Sequence, residues 1–320
     1  MKRAKSITDV RGIEVGHAQD EEALTGCTVI LCRKGAVAGV DVRGGAPGTR
    51  ETSLLDPVNV VEKVHAIVLA GGSAFGLDAA SGVMQYLEEQ NIGFETGSAK
   101  VPIVPAAILY DLSLGRSDVR PDAAMGYHAA VSASFAAPAE GNVGAGTGAS
   151  VGKMRGMKFA MKSGVGTWSV KINGITIGAL VAVNAIGDVV DPKNGEMIAG
   201  VRTGTTMSLL KKSPSLTAVT SNTVIGVVAT DADLTKSQAT KVAQMAQDGL
   251  ARTIRPAHTM FDGDTIFALA TGEQKADVSM VGAFAAEVMA EAILRAVRKA
   301  APAGGLHGLF QPSQEKTKRG

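Results

Sequence analysis

The sequence predicts an α/β protein, and three features carry that prediction. Ala66-Ile67-Val68-Leu69-Ala70, a run of small and β-branched residues, enters Gly71-Gly72-Ser73 and then a helical pattern ending near Gln90. Strand, glycine turn and helix in that order make an α/β unit. Thr223-Val224-Ile225-Gly226-Val227-Val228-Ala229 is apolar at successive positions, so both of its faces are set for burial, as in a central strand. Helices then alternate with strands: a helix over 236–253, a strand near 265–269, and a long helix over 278–299 whose Val281, Phe284, Val288 and Ala292 recur at helical spacing.

Taken in chain order, residues 29–42 divide into two apolar segments around Arg33-Lys34-Gly35 and read as strand, turn, strand. In the unit at 66–90, Ser73 is placed to cap the helix. Pro121 stands just before a helix expected over 122–135. Residues 158–190 read as mostly β, with Asn173-Gly174 as a hairpin turn because both residues tolerate positive φ. The stretch up to Ser221 is rich in Thr, Ser and Lys, contains Pro214 and lacks periodicity, so 202–222 reads as a mobile linker running abruptly into a buried strand. On the last helix Glu291 and Arg295 are one turn apart and suit an ion pair. Beyond Pro302 the Gly- and Lys-rich tail, 303–320, reads as flexible.

Composition narrows the function. A chain of 320 residues that is 45% apolar builds a sizeable core. The 32 basic and 30 acidic residues nearly balance, no basic block precedes the last few residues, and aromatics make up only 4%, which excludes a nucleic-acid binder. No apolar run approaches the roughly 20 residues of a membrane helix. The expectation is a soluble cytoplasmic protein. Cys27 and Cys32 lie five apart in an apolar strand pattern, on opposite faces, and read as buried small hydrophobes rather than as a disulfide or a zinc site. Glycine is abundant at 39 residues, which implies many tight turns and close backbone approaches.

Two motifs invite a cofactor and fail on spacing. Between Gly144 and Lys153 a Walker loop would need glycine where Thr147 stands and Ser or Thr where Met154 stands. The same stretch matches G-x-G-x-x-A at Gly144, Gly146 and Ala149, but no strand precedes it. It reads as a glycine-lined backbone crossing. Ser73 lacks the G-x-S-x-G spacing of a nucleophile elbow. The five histidines, His17, His65, His128, His258 and His307, show no metal-ligand pairing; His258 alone is near other polar residues and reads as structural. Asp262 and Asp264 share one face if a strand begins there, and two carboxylates so placed need a cation or hydrogen-bond donors. A surface acidic turn is the alternative.

The chain resembles the L-aminopeptidase/D-esterase family, which includes β-aminopeptidases and the nylon-oligomer hydrolase. The resemblance is nearly end to end and strongest in Val40-Asp41-Val42-Arg43-Gly44-Gly45-Ala46-Pro47-Gly48-Thr49-Arg50-Glu51, the turn at 70–76, residues 102–112, Ser221-Asn222-Thr223 and Asp262-Gly263-Asp264. It implies a four-layer α-β-β-α sandwich, a single catalytic domain over 1–320, and self-cleavage between Asn222 and Thr223 into fragments 1–222 and 223–320. Thr223 then becomes an N-terminal nucleophile whose own α-amine, with an ordinary pKa of about 7.7–8.0, replaces the histidine of a triad. The same resemblance implies that Asn184 donates to the oxyanion, that Asp262 and Asp264 orient the threonine, and that Tyr110 and Lys153 line the site. It implies no cofactor and no metal, a small peptide or amide as substrate, and a homotetramer. Three functions stay open: hydrolysis of small peptides, amino-acid amides or esters; hydrolysis of 6-aminohexanoate oligomers, favoured by Thr223, Tyr110 and Lys153; and an uncleaved small-molecule binding protein using the glycine-rich loops.

Overall fold

Strand alternation and helical stripes resolve into four layers. The computed structural model describes residues 5–212 and 222–311. Its long strands are β1 (Glu14–Asp20), β2 (Thr25–Val42), β3 (Lys63–Ala70), β4 (Val165–Ile172), β5 (Ile175–Asn184), β6 (Thr223–Ala232) and β7 (Thr265–Gln274). The principal helices are α1 (Ala79–Glu89), α2 (Ala123–Ser132), α3 (Lys236–Thr253) and α4 (Val278–Arg298). The strands join in the order β4-β5-β6-β7-β2-β3, continued by the short strands Ala106–Ile108 and Thr49–Arg50, with β1 also paired to β2.

One strand belongs to both halves of this sheet. The first part of β2 pairs with β1 and β3 and its last part with β7, and the register shifts between Leu31 and Ala36. The expected strand, turn, strand over 29–42 is therefore corrected to one long strand with a bulge. Gly35 sits in the bulge at φ +78°, where a side chain would be strained. Extra residues on one strand bend it and increase its twist, and here they let the two halves face each other.

Alternation along the strands assigns each face to a different core. On β2, Val29 and Leu31 pack with Val83 and Leu87 of α1 and Ala129 of α2. Ile30 points the other way and joins Ile67, Leu69, Ile225, Val227 and Phe267 between the sheet halves. On β6, Val224 and Val228 turn outward beneath Val242 and Leu250 of α3 and Val288 and Ile293 of α4. Three cores divided by two sheet layers give the α-β-β-α order. Cys27 and Cys32 obey the same alternation, one in an outer core and one in the inner, both free and buried.

Local chemistry sets the element ends. Asn173 and Gly174 take φ of 50° and 88°, as the hairpin between β4 and β5 requires. Asp122, Thr235 and Asp277 cap α2, α3 and α4 by accepting from Met125, Gln238 and Met280 main-chain N–H groups. Ser73 makes no such cap: a 3-10 turn over Ser73–Asp78 precedes α1, and the Asp111 carboxylate takes the Gly72 N–H at 2.7 Å instead. Arg295 likewise turns from Glu291 to Glu140, Nε to Oε1 at 2.8 Å, and lies over the Trp168 ring. A two-point guanidinium contact with a largely buried carboxylate outweighs an exposed pair on one helix.

Within 202–222, Thr206–Lys212 forms a short helix whose first residue donates its N–H and hydroxyl to Asp188; 213–221 lie outside the described residues. Of the tail 303–320, the described part returns to the body, with Phe310 N–H donating to Ala300 O at 2.9 Å; 312–320 lie outside the described residues. No helix among the described residues is long and apolar enough to cross a membrane.

Candidate active site

β6 and β7 run parallel with α3 between them, so both strands start at one edge of the sheet. β5 runs antiparallel to β6 and ends at that edge. The register sets Asn184, the last residue of β5, opposite Thr223, the first of β6. The loop entering β7 carries Asp262 and Asp264 and touches the chain through a parallel bridge between Asn222 and Asp262. Three strand ends thus deliver Asn184, Thr223 and the two aspartates to one buried place.

At the Asn222-Thr223 bond the Thr223 hydroxyl lies against the Asn222 carbonyl oxygen and donates to it. The Gly263 N–H donates to the same oxygen at 2.9 Å. A Cβ at position 263 would stand 2.8 Å from Ala46 O and 2.9 Å from the Thr223 hydroxyl oxygen, so only glycine lets this loop press on the hydroxyl. The glycine-rich segment after β2 holds the loop from behind: Arg43 N–H donates to Asp264 O at 2.9 Å, Ala46 N–H to Asp262 O at 2.8 Å and Gly45 N–H to Thr259 O at 3.1 Å.

The two carboxylates have different surroundings. Asp264 Oδ1 accepts the Val224 N–H at 2.8 Å, and its Oδ2 accepts from His258, from the main-chain N–H at 3.0 Å and from ring Nδ1 at 2.8 Å. Asp262 Oδ2 accepts the Thr259 N–H at 2.7 Å. Burial pushes the Asp262 carboxyl up to about 6, and the charge on Asp264 pushes the same way; the Thr259 contacts and Lys153 pull back.

Lys153 is buried beneath Asn184, its Nζ donating to the Asn184 main-chain O at 2.9 Å and to Oδ1 at 2.7 Å. Loss of hydration draws its ammonium from 10.5 down to about 7, against the pull of the charges on Asp262 and Asp111. Asn184 Oδ1 also accepts the Ser150 N–H at 3.1 Å, which fixes the amide so that Nδ2 faces Tyr110 and donates to its main-chain O at 2.8 Å. An amide nitrogen has two hydrogens, so one remains for a second acceptor.

The structure gathers Thr223, Asn184, Asp262, Asp264 and Lys153, and it places Tyr110 beside them through its main-chain carbonyl. In the intact chain the Thr223 hydroxyl turns to the Asn222 carbonyl, while Asp264 holds the amide one residue further on. Sequence reading passed over Gly263, visible only as a turn residue between two aspartates. His258 reads from the sequence as structural, and its partner Asp264 is set by a loop conformation that spacing does not show. Lys162 gave no signal at all: buried, it donates from Nζ to the carbonyls of Gly146, Ala149 and Ser163 and so shapes the segment bearing Ser150 and Lys153. That segment is the expected backbone crossing, since a Cβ at Gly146 would lie 2.3 Å from Val165 N. No group of three or more His, Cys, Asp or Glu able to hold a metal occurs among the described residues.

The profile of Peptidase family S58 matches residues 5–310. An uncharacterized aminopeptidase of Mycobacterium leprae is 45% identical, over 94% of this chain and 92% of its own. A 6-aminohexanoate-oligomer endohydrolase of Kocuria sp. is 32% identical, over 91% of this chain and 85% of its own. The solved L-aminopeptidase D-Ala-esterase/amidase of Ochrobactrum anthropi, described as a variant of the Ntn hydrolase fold, superposes with a TM-score of 0.73 at 21% identity, covering 97% of this chain and 93% of that one. Its agreement with the four layers found here concerns the fold.

Proposed function

Since this chain belongs to peptidase family S58, we propose that it is an amide hydrolase that cuts itself between Asn222 and Thr223 and then uses Thr223 as an N-terminal nucleophile. The observation that carries this reading is the Asn222 carbonyl, which meets the Thr223 hydroxyl on one side and the Gly263 N–H on the other.

Self-cleavage begins as the Thr223 hydroxyl oxygen bonds to the Asn222 carbonyl carbon and the carbonyl electron pair moves onto oxygen, where the Gly263 N–H receives the charge. The C–N bond then breaks, the threonine nitrogen takes up the hydroxyl proton, and an ester remains. Water opens the ester, leaving a carboxylate on Asn222 and a free amine and hydroxyl on Thr223.

The freed amine is the base for turnover. It takes the hydroxyl proton as Thr223 attacks a substrate amide, the remaining Asn184 N–H serves the oxyanion, and the amine half of the substrate leaves with the proton. Water then releases the acyl group. The leading substrate class is small peptides, amino-acid amides or esters, in line with the 45% identical relative. A second reading, oligomers of 6-aminohexanoate, is favoured by the 32% identical endohydrolase together with the buried Lys153 beside Asn184.

Intact mass and N-terminal sequencing of the purified protein test the first step, with a fragment beginning Thr223-Val224-Ile225 as the expected result. Thr223→Ala should leave one intact chain and no hydrolysis, because one hydroxyl starts both reactions. Cleavage of that variant at the same bond would refute the assignment, and one intact band from the wild type would favour a binding protein. Amino-acid p-nitroanilides assayed beside 6-aminohexanoate oligomers separate the two substrate readings.

A further inference from the structure

The loop entering β7 holds a polar arrangement that these steps leave unused. His258 adopts φ +57°, a left-handed conformation that residues other than glycine rarely take. In that conformation its main-chain N–H and its ring Nδ1 converge on a single oxygen, Oδ2 of Asp264, at 3.0 and 2.8 Å. A carboxylate oxygen accepts, so the ring nitrogen facing it, Nδ1, carries a hydrogen. Nε2 is buried and has no hydrogen-bond partner among the described residues. The other oxygen of Asp264 accepts the Val224 N–H at 2.8 Å, the amide directly after the nucleophile.

We propose that His258 is a positioning residue for the threonine chemistry: its two N–H groups fix Asp264, and Asp264 fixes the Val224 amide, so that Thr223 keeps its hydroxyl at the Asn222 carbonyl. The inference rests on Thr223 being the nucleophile. Hydrogen-bond donors fall unequally on the two buried carboxylates. Asp264 receives three N–H groups and Asp262 receives that of Thr259, and it is Asp262 whose carboxyl is pushed up, by burial and then by the charge on Asp264.

Two substitutions tolerate the left-handed backbone. His258→Gly removes the ring without adding strain, and His258→Asn replaces ring Nδ1 with an amide nitrogen at the same number of bonds from the main chain. Self-cleavage rate, kcat and KM are measured for both. The glycine variant should lose about 10- to 100-fold in cleavage rate and in kcat, the size expected for one hydrogen bond to a charged group, with KM unchanged. The asparagine variant should recover most of that loss. A glycine variant as fast as wild type, or an asparagine variant as slow as the glycine one, overturns the proposal.

Histidine-selective nitrogen NMR of the wild-type protein reads the ring without any substitution. The expected signal is a His258 ring that carries a hydrogen at Nδ1, with that hydrogen slow to exchange. Protonation at Nε2 alone overturns the proposal even where a variant does not fold. A wild-type chain that stays in one piece and hydrolyses no amide defeats the nucleophile assignment, while the ring tautomer still decides the contact between His258 and Asp264.

Discussion

Lys153, in a 3-10 turn, and Lys162, in the short strand Met161–Lys162, are a contrasting pair. Both are buried, and in both cases burial draws the ammonium from 10.5 down to about 7. Lys162 gives its hydrogens to three main-chain carbonyls, those of Gly146, Ala149 and Ser163. An ammonium has three hydrogens, so the group is saturated and acts as a clamp. Lys153 instead directs two contacts to one residue, Asn184, and lies in the field of Asp262. Burial of a charge does not by itself mark a functional group. What its hydrogens meet does.

The largest effect that sharpens this contrast lies one bond beyond Lys153. Asn184→Ala removes the amide that Lys153 holds, and kcat should fall by about 10²- to 10³-fold, the usual cost of losing an oxyanion donor. Steady-state kinetics on the processed enzyme read it, and a kcat within a few-fold of wild type would place Lys153 in a merely structural corner like that of Lys162.

A smaller effect separates the lysines themselves. Lys162→Met should lower unfolding free energy by roughly 2–3 kcal/mol, since three buried carbonyls lose a donor, while fully folded enzyme keeps its kcat. Lys153→Met should lower kcat with a smaller loss of stability, because Asn184 Oδ1 keeps the Ser150 N–H when the ammonium is gone. Urea unfolding beside kinetics tests both, and equal behaviour of the two variants would erase the distinction.

The last effect is a slope with pH, at most about 1.4 kcal/mol per pH unit for each lysine. Each lysine gives up its proton near pH 7 in the folded protein and near 10.5 in the unfolded chain. Between those values the unfolded state binds more protons, so stability should rise with pH across that window. Asp262 acts in a lower window: between about 4 and 6 the folded state holds a proton that the unfolded chain has lost, and stability falls there as pH rises. Chemical unfolding from pH 5 to 9 should show the upper climb, reduced in Lys153→Met.

Resemblance names Lys153 as a site residue, but the burial of either lysine is not legible in the sequence pattern. In Lys153-Met154-Arg155 the cation stands among polar and glycine residues, as a surface turn does, and Lys162 sits in an equally charged stretch. Their burial depends on where β4, β5 and the 144–153 crossing come to lie. The same limit applies at 29–42, where a charged Arg33-Lys34-Gly35 interrupts apolar residues in one way for a hairpin and for a bulge. Asn173-Gly174, the caps Asp122, Thr235 and Asp277, and the stripe on α4 were legible because their chemistry is settled within a few residues.

By itself the sequence determined the α/β alternation, the central character of β6 and, through resemblance, the family, and it offered the site residues and the Asn222-Thr223 bond as expectations. Turn chemistry, capping and apolar period are short-range properties, and a long resemblance carries the rest. Only the tertiary structure decided that β2 serves both sheet halves, that the Gly263 N–H meets the Asn222 carbonyl, and that two N–H groups of His258 meet one oxygen of Asp264. Those contacts join residues that neither period nor spacing relates. They exist because parallel strands begin at a common edge, where main-chain donors left unpaired by the sheet converge on whatever the loops bring there.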